Sequence, residues 1–206
     1  MIKDLVIVGY SGHSFGVIES WIENGGRIIG YIDKNQKKNN PFQLTYLGDD
    51  NYLSKQISKG AIHLSFGDIK LRRLWLKLHS SKKFNFQTVI SKDSKISTNT
   101  SIGKGTFIAR GSNLNSFVQI GENCIVNTAA SIDHEVEIGN NCHIGPGAVI
   151  AGNVRISNNV FIGANSVIIE NIEIEENSII GAGSVIIRNV NKDEIIVGNP
   201  GSVLKK

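Results

Sequence analysis

A branched aliphatic side chain recurs at every sixth position from Ile90 to Ile186, without a slip or an insertion. The seventeen positions are Ile90, Ile96, Ile102, Ile108, Leu114, Ile120, Val126, Ile132, Ile138, Ile144, Ile150, Ile156, Ile162, Ile168, Ile174, Ile180 and Ile186. Six is the period of neither an α-helix nor a hairpin strand. A fixed repeat of this kind indicates a solenoid, in which each repeat buries its apolar residue against its neighbours.

The residues around each aliphatic position indicate the shape of the coil. A compact residue such as Cys124 or Ala130 stands two positions before it, and Asn or Gly often stands three positions after it. Asn and Gly tolerate a positive φ, so these positions predict tight corners between short strands. Three strands and three corners make a triangular coil of about eighteen residues, and the repeat predicts a parallel β-helix of about five and a half coils.

The first third of the chain has a different pattern, in which short apolar strands alternate with amphipathic helices. We predict strands at 5–9, 27–33 and 61–66, and helices at 14–24, 49–58 and 68–79. This alternation is typical of a Rossmann-like α/β domain, whose ligand crevice lies at the carboxyl ends of its parallel strands. The sequence therefore divides into an α/β domain at 1–85 and an all-β helix with a short tail at 86–206.

The loop after the first strand, Gly9-Tyr10-Ser11-Gly12-His13, is a candidate nucleotide-binding loop. Glycines let the backbone approach a phosphate, and the N-terminus of the following helix favours negative charge. His13 can donate to a phosphate or a uracil, and Asp33 at the end of the next strand can accept from a ribose or a base. A tight turn without a ligand explains the same loop, and the sequence leaves both interpretations open.

Composition and charge argue against several classes of function. The net charge is +4, and basic residues crowd one stretch: Lys70, Arg72, Arg73, Lys77, Lys82, Lys83 and Lys92. Aromatic residues do not alternate with them, so we interpret a solvated helix face and expect no nucleic-acid partner. The chain has no apolar run of membrane-spanning length and no secretory signal pattern, so we expect no membrane partner and a cytoplasmic location. In that compartment Cys124 and Cys142 are expected to be buried free thiols.

The chemistry is expected near the two histidines of the repeat region, His134 and His143. Asp133-His134-Glu135 occupies a corner, and a carboxylate beside an imidazole fixes its tautomer and favours proton uptake. A solvated corner histidine is the alternative. Phe117, Ala129 and Glu135 stand where a corner Asn or Gly is expected, and local folding rules tend to fail near functional sites. This irregularity favours a general base at His134.

The repeat from about residue 90 to 186 resembles the hexapeptide-repeat acyltransferases, and the resemblance implies a left-handed coil. Nearly the whole chain resembles a narrower group, the bacterial sugar O-acyltransferases. That group includes sialic acid O-acetyltransferases and the N-acetyltransferases of UDP-4-amino-4,6-dideoxy sugars. The segments that carry the resemblance are Gly9-Tyr10-Ser11-Gly12-His13, Gly67-Asp68, Asn127-Thr128, Asp133-His134-Glu135, His143 and Val197-Gly198-Asn199-Pro200.

The resemblance also implies roles for individual residues, a homotrimer that binds acetyl-CoA between neighbouring β-helices, no metal, and a part in surface polysaccharide biosynthesis. The implied sets are the catalytic residues His134, Glu135 and Asn127, the nucleotide-sugar residues Gly12, His13, Asp33 and Lys34, and the acetyl-CoA residues His143, Gly152, Ala164 and Ala182. The tail reads Gly198-Asn199-Pro200-Gly201-Ser202 where the family usually has Gly-x-Pro-Ala-Lys, so cofactor contacts are not carried over there.

We therefore predict direct acetyl transfer from acetyl-CoA to the amine of a nucleotide-linked amino sugar, with His134 as the base and a backbone N–H near Gly152 stabilising the oxyanion. The inward cysteines and the lack of a serine triad argue against an acyl-enzyme. The first alternative is O-acetylation of a sialic acid or a related surface-glycan sugar. A zinc carbonic anhydrase is the second, although it requires three ligands and the repeat has two histidines. The third is a non-catalytic binding solenoid.

Overall fold

A computed structural model describes residues 3–56 and 60–204. The chain divides into two compact units, and the division falls between Lys92 and Asp93. The sequence alone suggested a division after residue 85, which falls inside a short strand of the first unit, Asn85–Phe86.

The first unit is an α/β domain built on one parallel sheet. Its elements are β1 (Asp4–Val8), α1 (Gly12–Glu23), β2 (Arg27–Ile32), β3 (Tyr46–Gly48), α2 (Asp50–Gln56), β4 (Ala61–Leu64), α3 (Ile69–Leu78), β5 (Asn85–Phe86) and β6 (Val89–Ile90). The sheet has the strand order β3-β2-β1-β4-β5. Since β1 pairs with β2 on one side and with β4 on the other, the strand order reverses at β1. A ligand crevice is expected at this point, at the carboxyl ends of the strands.

The elements of the first unit agree with the predicted alternation, with differences at their ends. Helix α1 begins at Gly12 instead of residue 14, so the candidate loop runs directly into the helix. Strand β3 was not predicted. The predicted second helix ended at Ser58, which lies outside the described residues. The core joins β1, β2 and β4 to α2 and α3, through Val6, Val8, Ile32, Leu53, Ile62, Leu64 and Trp75.

Helix α3 corrects one interpretation of the basic stretch. Arg72 is 1% exposed, and its guanidinium donates to the carbonyl oxygens of Leu64 and Phe66 at the end of β4. The other basic residues of the helix, Lys70, Arg73 and Lys77, are exposed as expected, and three leucines, Leu71, Leu74 and Leu78, are exposed as well. The sequence predicted a solvated Arg72, because the pattern of charges does not show which face of the helix packs against the sheet.

The second unit is a parallel β-solenoid with three faces. Its strands are β7 (Lys95–Ile96), β8 (Ser101–Ile102), β9 (Phe107–Ile108), β10 (Asn113–Leu114), β11 (Gln119–Ile120), β12 (Ile125–Val126), β13 (Ser131–Ile132), β14 (Glu137–Ile138), β15 (His143–Ile144), β16 (Val149–Ile150), β17 (Arg155–Ile156), β18 (Phe161–Ile162), β19 (Val167–Ile168), β20 (Glu173–Ile174), β21 (Ile179–Ile180), β22 (Val185–Ile186), β23 (Ile195–Val197) and β24 (Ser202–Val203). Every third strand pairs in register, as in the parallel pairing of Leu114 with Ile132 and of Ile132 with Ile150.

We number the faces in chain order. The first face carries β7, β10, β13, β16, β19 and β22, and the second carries β8, β11, β14, β17 and β20. The third carries β9, β12, β15, β18, β21 and β23, and β24 returns antiparallel beside β23. These ladders confirm the predicted coil of three strands. The left-handed sense of the coil stays an expectation from the family resemblance.

The interior of the solenoid is filled as the repeat predicted. Aliphatic residues from Ile108 to Ile186 at the sixth positions are buried, and the compact residues two positions earlier are buried with them. Cys124 and Cys142 are free thiols in this compact position, and the backbone N–H of Cys142 lies 3.4 Å from Sγ of Cys124. Burial raises the pKa of the Cys142 thiol well above its usual range. Such a thiol is a poor nucleophile.

The corners adopt the left-handed backbone that their composition predicted. Positive φ values occur in three columns of stacked corners: Gly105, Asn123, Asn141, Asn159 and Asn177; Gly111, Ala129, Gly147, Asn165 and Gly183; and Phe117, Glu135, Asn153 and Asn171. The irregular residue Ala129 thus lies in a different column from Phe117 and Glu135. Only two of the three irregular corner residues share the column beside His134.

None of the helices within residues 3–56 and 60–204 combines the length and the apolar character needed to cross a membrane.

Candidate active site

His134 and Glu135 form a hydrogen-bonded pair on an exposed corner between β13 and β14. Nδ1 of His134 lies 3.0 Å from Oε2 of Glu135, and the side chains are 54% and 64% exposed. Glu135 reaches the ring because its φ is +58°, which turns the residue back towards the preceding histidine. A carboxylate at Nδ1 favours the tautomer with the proton on that nitrogen, so Nε2 is the atom that can accept a proton.

The ring of His134 lies directly over Gly152 of the next coil. A β-carbon built on Gly152 would stand 2.6 Å from Cε1 and 2.7 Å from Nε2 of the imidazole, well inside van der Waals contact. Gly152 is buried beneath the ring. The sequence suggested this glycine as a cofactor or oxyanion contact; in the structure it gives the imidazole room to lie flat against the coil.

Asp133 fixes the backbone that carries the histidine. Its Oδ1 accepts from the backbone N–H of His134 at 2.7 Å and from Nδ2 of Asn115 at 2.8 Å. These two hydrogen bonds, the His134 N–H first, hold the pKa of the Asp133 carboxyl below its usual value. Asn115 was not predicted, although it lies one full coil before Asp133 and the eighteen-residue repeat identifies it as a neighbour.

A groove runs along the first face next to this corner. It has a volume of about 590 Å³ and extends from Lys95 and Ser97 past Asn115 and Asp133 to Ala151. The groove therefore covers the coil of the His134–Glu135 pair, the two coils before it and the coil after it. It is large enough to hold part of a ligand beside the imidazole.

Asn127 and His143 form a second cluster, on the third face and the corner that follows it. Nδ2 of Asn127 lies 3.2 Å from Nε2 of His143, and Phe161 meets the histidine ring edge to face with centroids 5.1 Å apart. His143 is only 8% exposed, so the ring that was expected to point outward is largely covered. Asn127 was expected to belong to the same catalytic site as His134, and the two residues lie on different corners of the chain.

Ala164 and Ala182 continue the corner column of Thr128, which follows Asn127. Backbone hydrogen bonds connect this corner from coil to coil: Gly147 N–H donates to Thr128 and Gly183 N–H donates to Ala164. Ala164 is half-buried and Ala182 is exposed. The residues expected to contact acetyl-CoA are thus divided, with Gly152 under His134 and the two alanines beside the Asn127 corner.

Asp33 holds the candidate nucleotide loop in the first unit. Its Oδ2 accepts from the N–H of Tyr10 at 2.9 Å, and its Oδ1 accepts from the N–H of Lys34 at 2.8 Å and from Nζ of Lys37 at 2.9 Å. Asp33 was expected to bind a ribose or a base. The structure shows that its carboxylate already fixes the loop after β1 to the end of β2.

Gly12 and Gly9 differ in what surrounds them. A β-carbon on Gly12 meets nothing within 4 Å, and its φ lies outside the positive range, so the fold does not require glycine there. Gly9 has a φ of +87° and lies against the ring of Phe66. The half-buried His13 lies close to Gly67, since a β-carbon built on Gly67 would stand 3.2 Å from Cβ of His13.

A cleft of about 670 Å³ opens at the carboxyl ends of β1, β2 and β4. It is lined by apolar residues of the strands and of α3 and by one basic and several acidic or amide side chains: Val8, Ile32, Asp33, Lys34, Asp49, Asp50, Asn51, Phe66, Leu71, Leu74, Trp75 and Leu78. Parallel α/β sheets bind ligands at this edge. Two of its lining residues contact the predicted nucleotide loop: Asp33 accepts from Tyr10, and Phe66 lies against Gly9.

Within the part of the chain that the structure describes, no group of three or more His, Cys, Asp or Glu side chains is arranged to hold a metal ion.

Two protein-family models match the chain. The model of the PglD N-terminal domain matches residues 4–78, and the bacterial transferase hexapeptide model (six repeats) matches residues 117–152 and 153–188. No curated protein sequence is significantly similar to the chain.

Several solved structures are similar to the chain over its whole length. PerB from Caulobacter crescentus, in complex with CoA and GDP-perosamine, is 27% identical with a TM-score of 0.92, covering 100% of this chain and 99% of its own. A histidine-to-asparagine mutant of perosamine N-acetyltransferase from the same organism, with the same ligands, is 26% identical with a TM-score of 0.93 and the same coverage. The acetyltransferase domain of PglB from Neisseria gonorrhoeae is 24% identical with a TM-score of 0.90, covering 98% of this chain and 100% of its own, and supports the fold alone.

Proposed function

We propose that this chain, a member of the hexapeptide-repeat sugar acyltransferase family, transfers an acetyl group from acetyl-CoA to the amine of a nucleotide-linked amino sugar. The observation that carries the proposal is the 3.0 Å pairing of His134 with Glu135 at an exposed corner beside a groove. A histidine with one nitrogen held by a carboxylate and the ring half exposed is suited to take a proton from an attacking amine.

The reaction requires one base and no covalent enzyme intermediate. The amine nitrogen attacks the thioester carbonyl carbon, and its proton passes to Nε2 of His134. The carbon–sulfur bond then breaks, and the proton returns from His134 to the CoA thiolate. Glu135 stabilises the imidazolium that exists between these two proton transfers.

The nucleotide is proposed to bind in the first unit, at the end of β1. Gly12 is exposed and opens helix α1, where backbone N–H groups and the helix dipole favour a phosphate. Asp33 acts as the residue that positions this loop, and Lys34 is the basic residue of the cleft, which Asp49 and Asp50 also line. The complex of PerB with CoA and GDP-perosamine supports this class of substrate.

We infer further that each active site is completed by a second copy of the chain in a homotrimer. One chain carries the His134–Glu135 pair on one corner, while Asn127, His143, Ala164 and Ala182 lie on and beside another. An acetyl-CoA molecule that contacts both sets must lie between neighbouring copies. The cofactor residues and the base then meet across an interface.

The base is tested by replacing the two members of the pair. We expect His134→Ala to lower kcat by about 10²–10⁴-fold, the usual contribution of a general base, with the melting temperature and oligomeric state unchanged. Glu135→Gln is expected to lower kcat less, because the histidine keeps a hydrogen-bonding partner but loses the negative charge. Glu137→Gln is a matched control, since this exposed glutamate lies two residues further on the second face.

The measurement is the rate of acetyl-CoA consumption with a nucleotide-linked amino sugar. It is monitored through the release of the CoA thiol. Turnover of His134→Ala within threefold of the wild type would remove His134 from the role of base. Consumption with a sialic acid but not with the amino sugar would identify a hydroxyl acceptor instead of an amine.

A further inference from the structure

Phe117 is an exposed aromatic residue directly beneath the His134–Glu135 pair. The backbone N–H of Glu135 donates to the carbonyl of Ser116 at 3.0 Å, which stacks the corner of Glu135 on the corner of Phe117. Adjacent coils are about 4.8 Å apart. The Phe117 side chain is therefore one rung away from the base, and 58% of the residue is exposed.

The fold itself gives no reason for a phenylalanine at this corner. Phe117 has a φ of +64°, a conformation that favours Gly or Asn and is costly for a bulky side chain. The later corners of the same column are Asn153 and Asn171, which join in a side-chain hydrogen bond of 2.7 Å. Glu135 separates Phe117 from this ladder, and the exposed phenylalanine gains little burial at this corner. A bulky side chain here therefore points to a contact outside the isolated chain.

The position of the groove indicates which ligand this contact serves. The groove on the first face is lined by Asn115, two residues before Phe117, and it continues past Asp133 to Ala151 on the coil after His134. Ala164 and Ala182, the expected cofactor contacts, lie on later coils and at another corner. All the expected acetyl-CoA residues, from His143 to Ala182, follow His134 in the chain, so we assign the part of the groove on the earlier coils, beside Phe117, to the acceptor.

We infer that Phe117 is a specificity-determining residue that packs against the carbon-bound hydrogens of the acceptor sugar. An aromatic face suits an apolar ring surface, in particular the methyl group of a 6-deoxy sugar, and disfavours a hydroxymethyl group at the same place. This inference rests on the proposed acetyl transfer. It identifies the part of the acceptor that is recognised and the side chain that recognises it.

The test uses Phe117→Asn, which restores the residue type of the later corners, and Phe117→Leu, which keeps an apolar side chain. We expect Phe117→Asn to raise KM for a 6-deoxy amino-sugar nucleotide about tenfold, the loss that follows from removing roughly 50 Å² of apolar contact. KM for acetyl-CoA is expected to stay within twofold. The preference for the 6-deoxy acceptor over its 6-hydroxy counterpart is expected to fall, and Phe117→Leu to retain part of it.

Stability and assembly separate this role from a structural one. Phe117→Asn is expected to keep or raise the melting temperature, since Asn tolerates the positive φ better, and to keep the oligomeric state of the wild type. Asn171→Gly, in the same column but two coils beyond His134, is the control and is expected to leave both KM values unchanged.

Three outcomes would overturn the inference. An unchanged sugar KM in Phe117→Asn, with an active wild type, refutes the role of Phe117 and leaves the acetyl transfer standing. A lower melting temperature or a dissociated oligomer assigns Phe117 to an interface between subunits. A wild type that consumes no acetyl-CoA with either acceptor refutes the proposed function, and this inference with it.

Discussion

His63 is a fully buried imidazole in the central strands of the first unit. Its Nδ1 lies 2.8 Å from the carbonyl oxygen of Gln87, so this nitrogen carries the proton and donates. Burial, together with the charge of Arg72, lowers the pKa of His63 from 6.5 to about 3. The folded domain therefore holds His63 in its neutral form at any pH above that value.

This lowered pKa predicts how the first unit responds to acid. Between about pH 3 and 6.5 the unfolded chain binds a proton at His63 and the folded chain does not, so the free energy of unfolding falls as the pH is lowered. The contribution of one such group is about 1.4 kcal/mol per pH unit. We expect His63→Asn, which keeps a donor for Gln87, to flatten the slope of unfolding free energy against pH between 4 and 6 by about that amount.

Tryptophan fluorescence during urea unfolding measures this slope, because both tryptophans, Trp21 and Trp75, lie in the first unit. The variant is expected to be less stable at pH 7, since the smaller side chain leaves a cavity. The slope is therefore the informative quantity. Equal slopes in the wild type and the variant would contradict a neutral His63.

Individual site residues were predictable to the extent that their partners are near in sequence or one coil away. The His134–Glu135 pair was predicted because the residues are adjacent and a carboxylate beside a histidine is informative. The support from Asn115 and the close approach of Gly152 follow from the eighteen-residue repeat but require the stacking geometry. The repeat places Asn127, after Val126, and His134, after Ile132, on different corners of the coil. The contact of Asn127 with His143 was not predictable, because spacing does not show which side chains on neighbouring coils meet.

At the scale of elements, the loop between β1 and α1 is held by contacts from both sides. Asp33 binds its backbone from the end of β2, and Phe66, after β4, lies against Gly9. Arg72 in α3 fixes the carbonyl of Phe66. Three elements therefore determine the conformation of one short loop, which favours a binding surface formed before the ligand arrives.

Gly9 and Gly12 provide a paired prediction for this loop. We expect Gly12→Ala to leave the melting temperature nearly unchanged, because a β-carbon there meets nothing within 4 Å, and to raise KM for the nucleotide sugar at least tenfold by blocking the approach of a phosphate. Gly9→Ala is expected to lower the melting temperature, because of its positive φ and the ring of Phe66. Thermal melting and steady-state kinetics of both variants test this. A Gly12→Ala enzyme with normal KM would argue against a nucleotide at this loop.

The repeat made the elements of the second unit more predictable than those of the first. A fixed period of six determines strand, corner and inward face together, so the coil follows once the phase is known. In the first unit, β3 spans only Tyr46–Gly48 and follows a stretch rich in Asn and Gln, where no alternation of apolar residues indicates a strand. The burial of Arg72 was missed for a related reason: its charge predicts exposure, whereas α3 buries Arg72 and leaves Leu71, Leu74 and Leu78 exposed.

At the scale of the whole molecule, the solenoid distributes the proposed chemistry over two corners of each chain. The base is on the corner after the first face, and the Asn127–His143 cluster is on and beside the corner after the third face. A single triangular coil cannot bring these corners together, because one face of the prism separates them. Assembly of several copies is the arrangement in which the predicted base and the predicted cofactor contacts act on one ligand.

Mixed oligomers test this division of the site directly. His134→Ala and Asn127→Ala are each expected to be nearly inactive alone, since each loses one half of every site. If sites form between copies, random mixing of the two variants in equal amounts leaves about one interface in four with both halves intact. We therefore expect co-expressed, co-purified mixtures to recover about a quarter of wild-type activity. If both halves act within one chain, every chain carries a defect and the mixture stays as inactive as its components, which would contradict the shared site. Separately purified trimers, mixed without exchange of subunits, are the control and are expected to show no recovery.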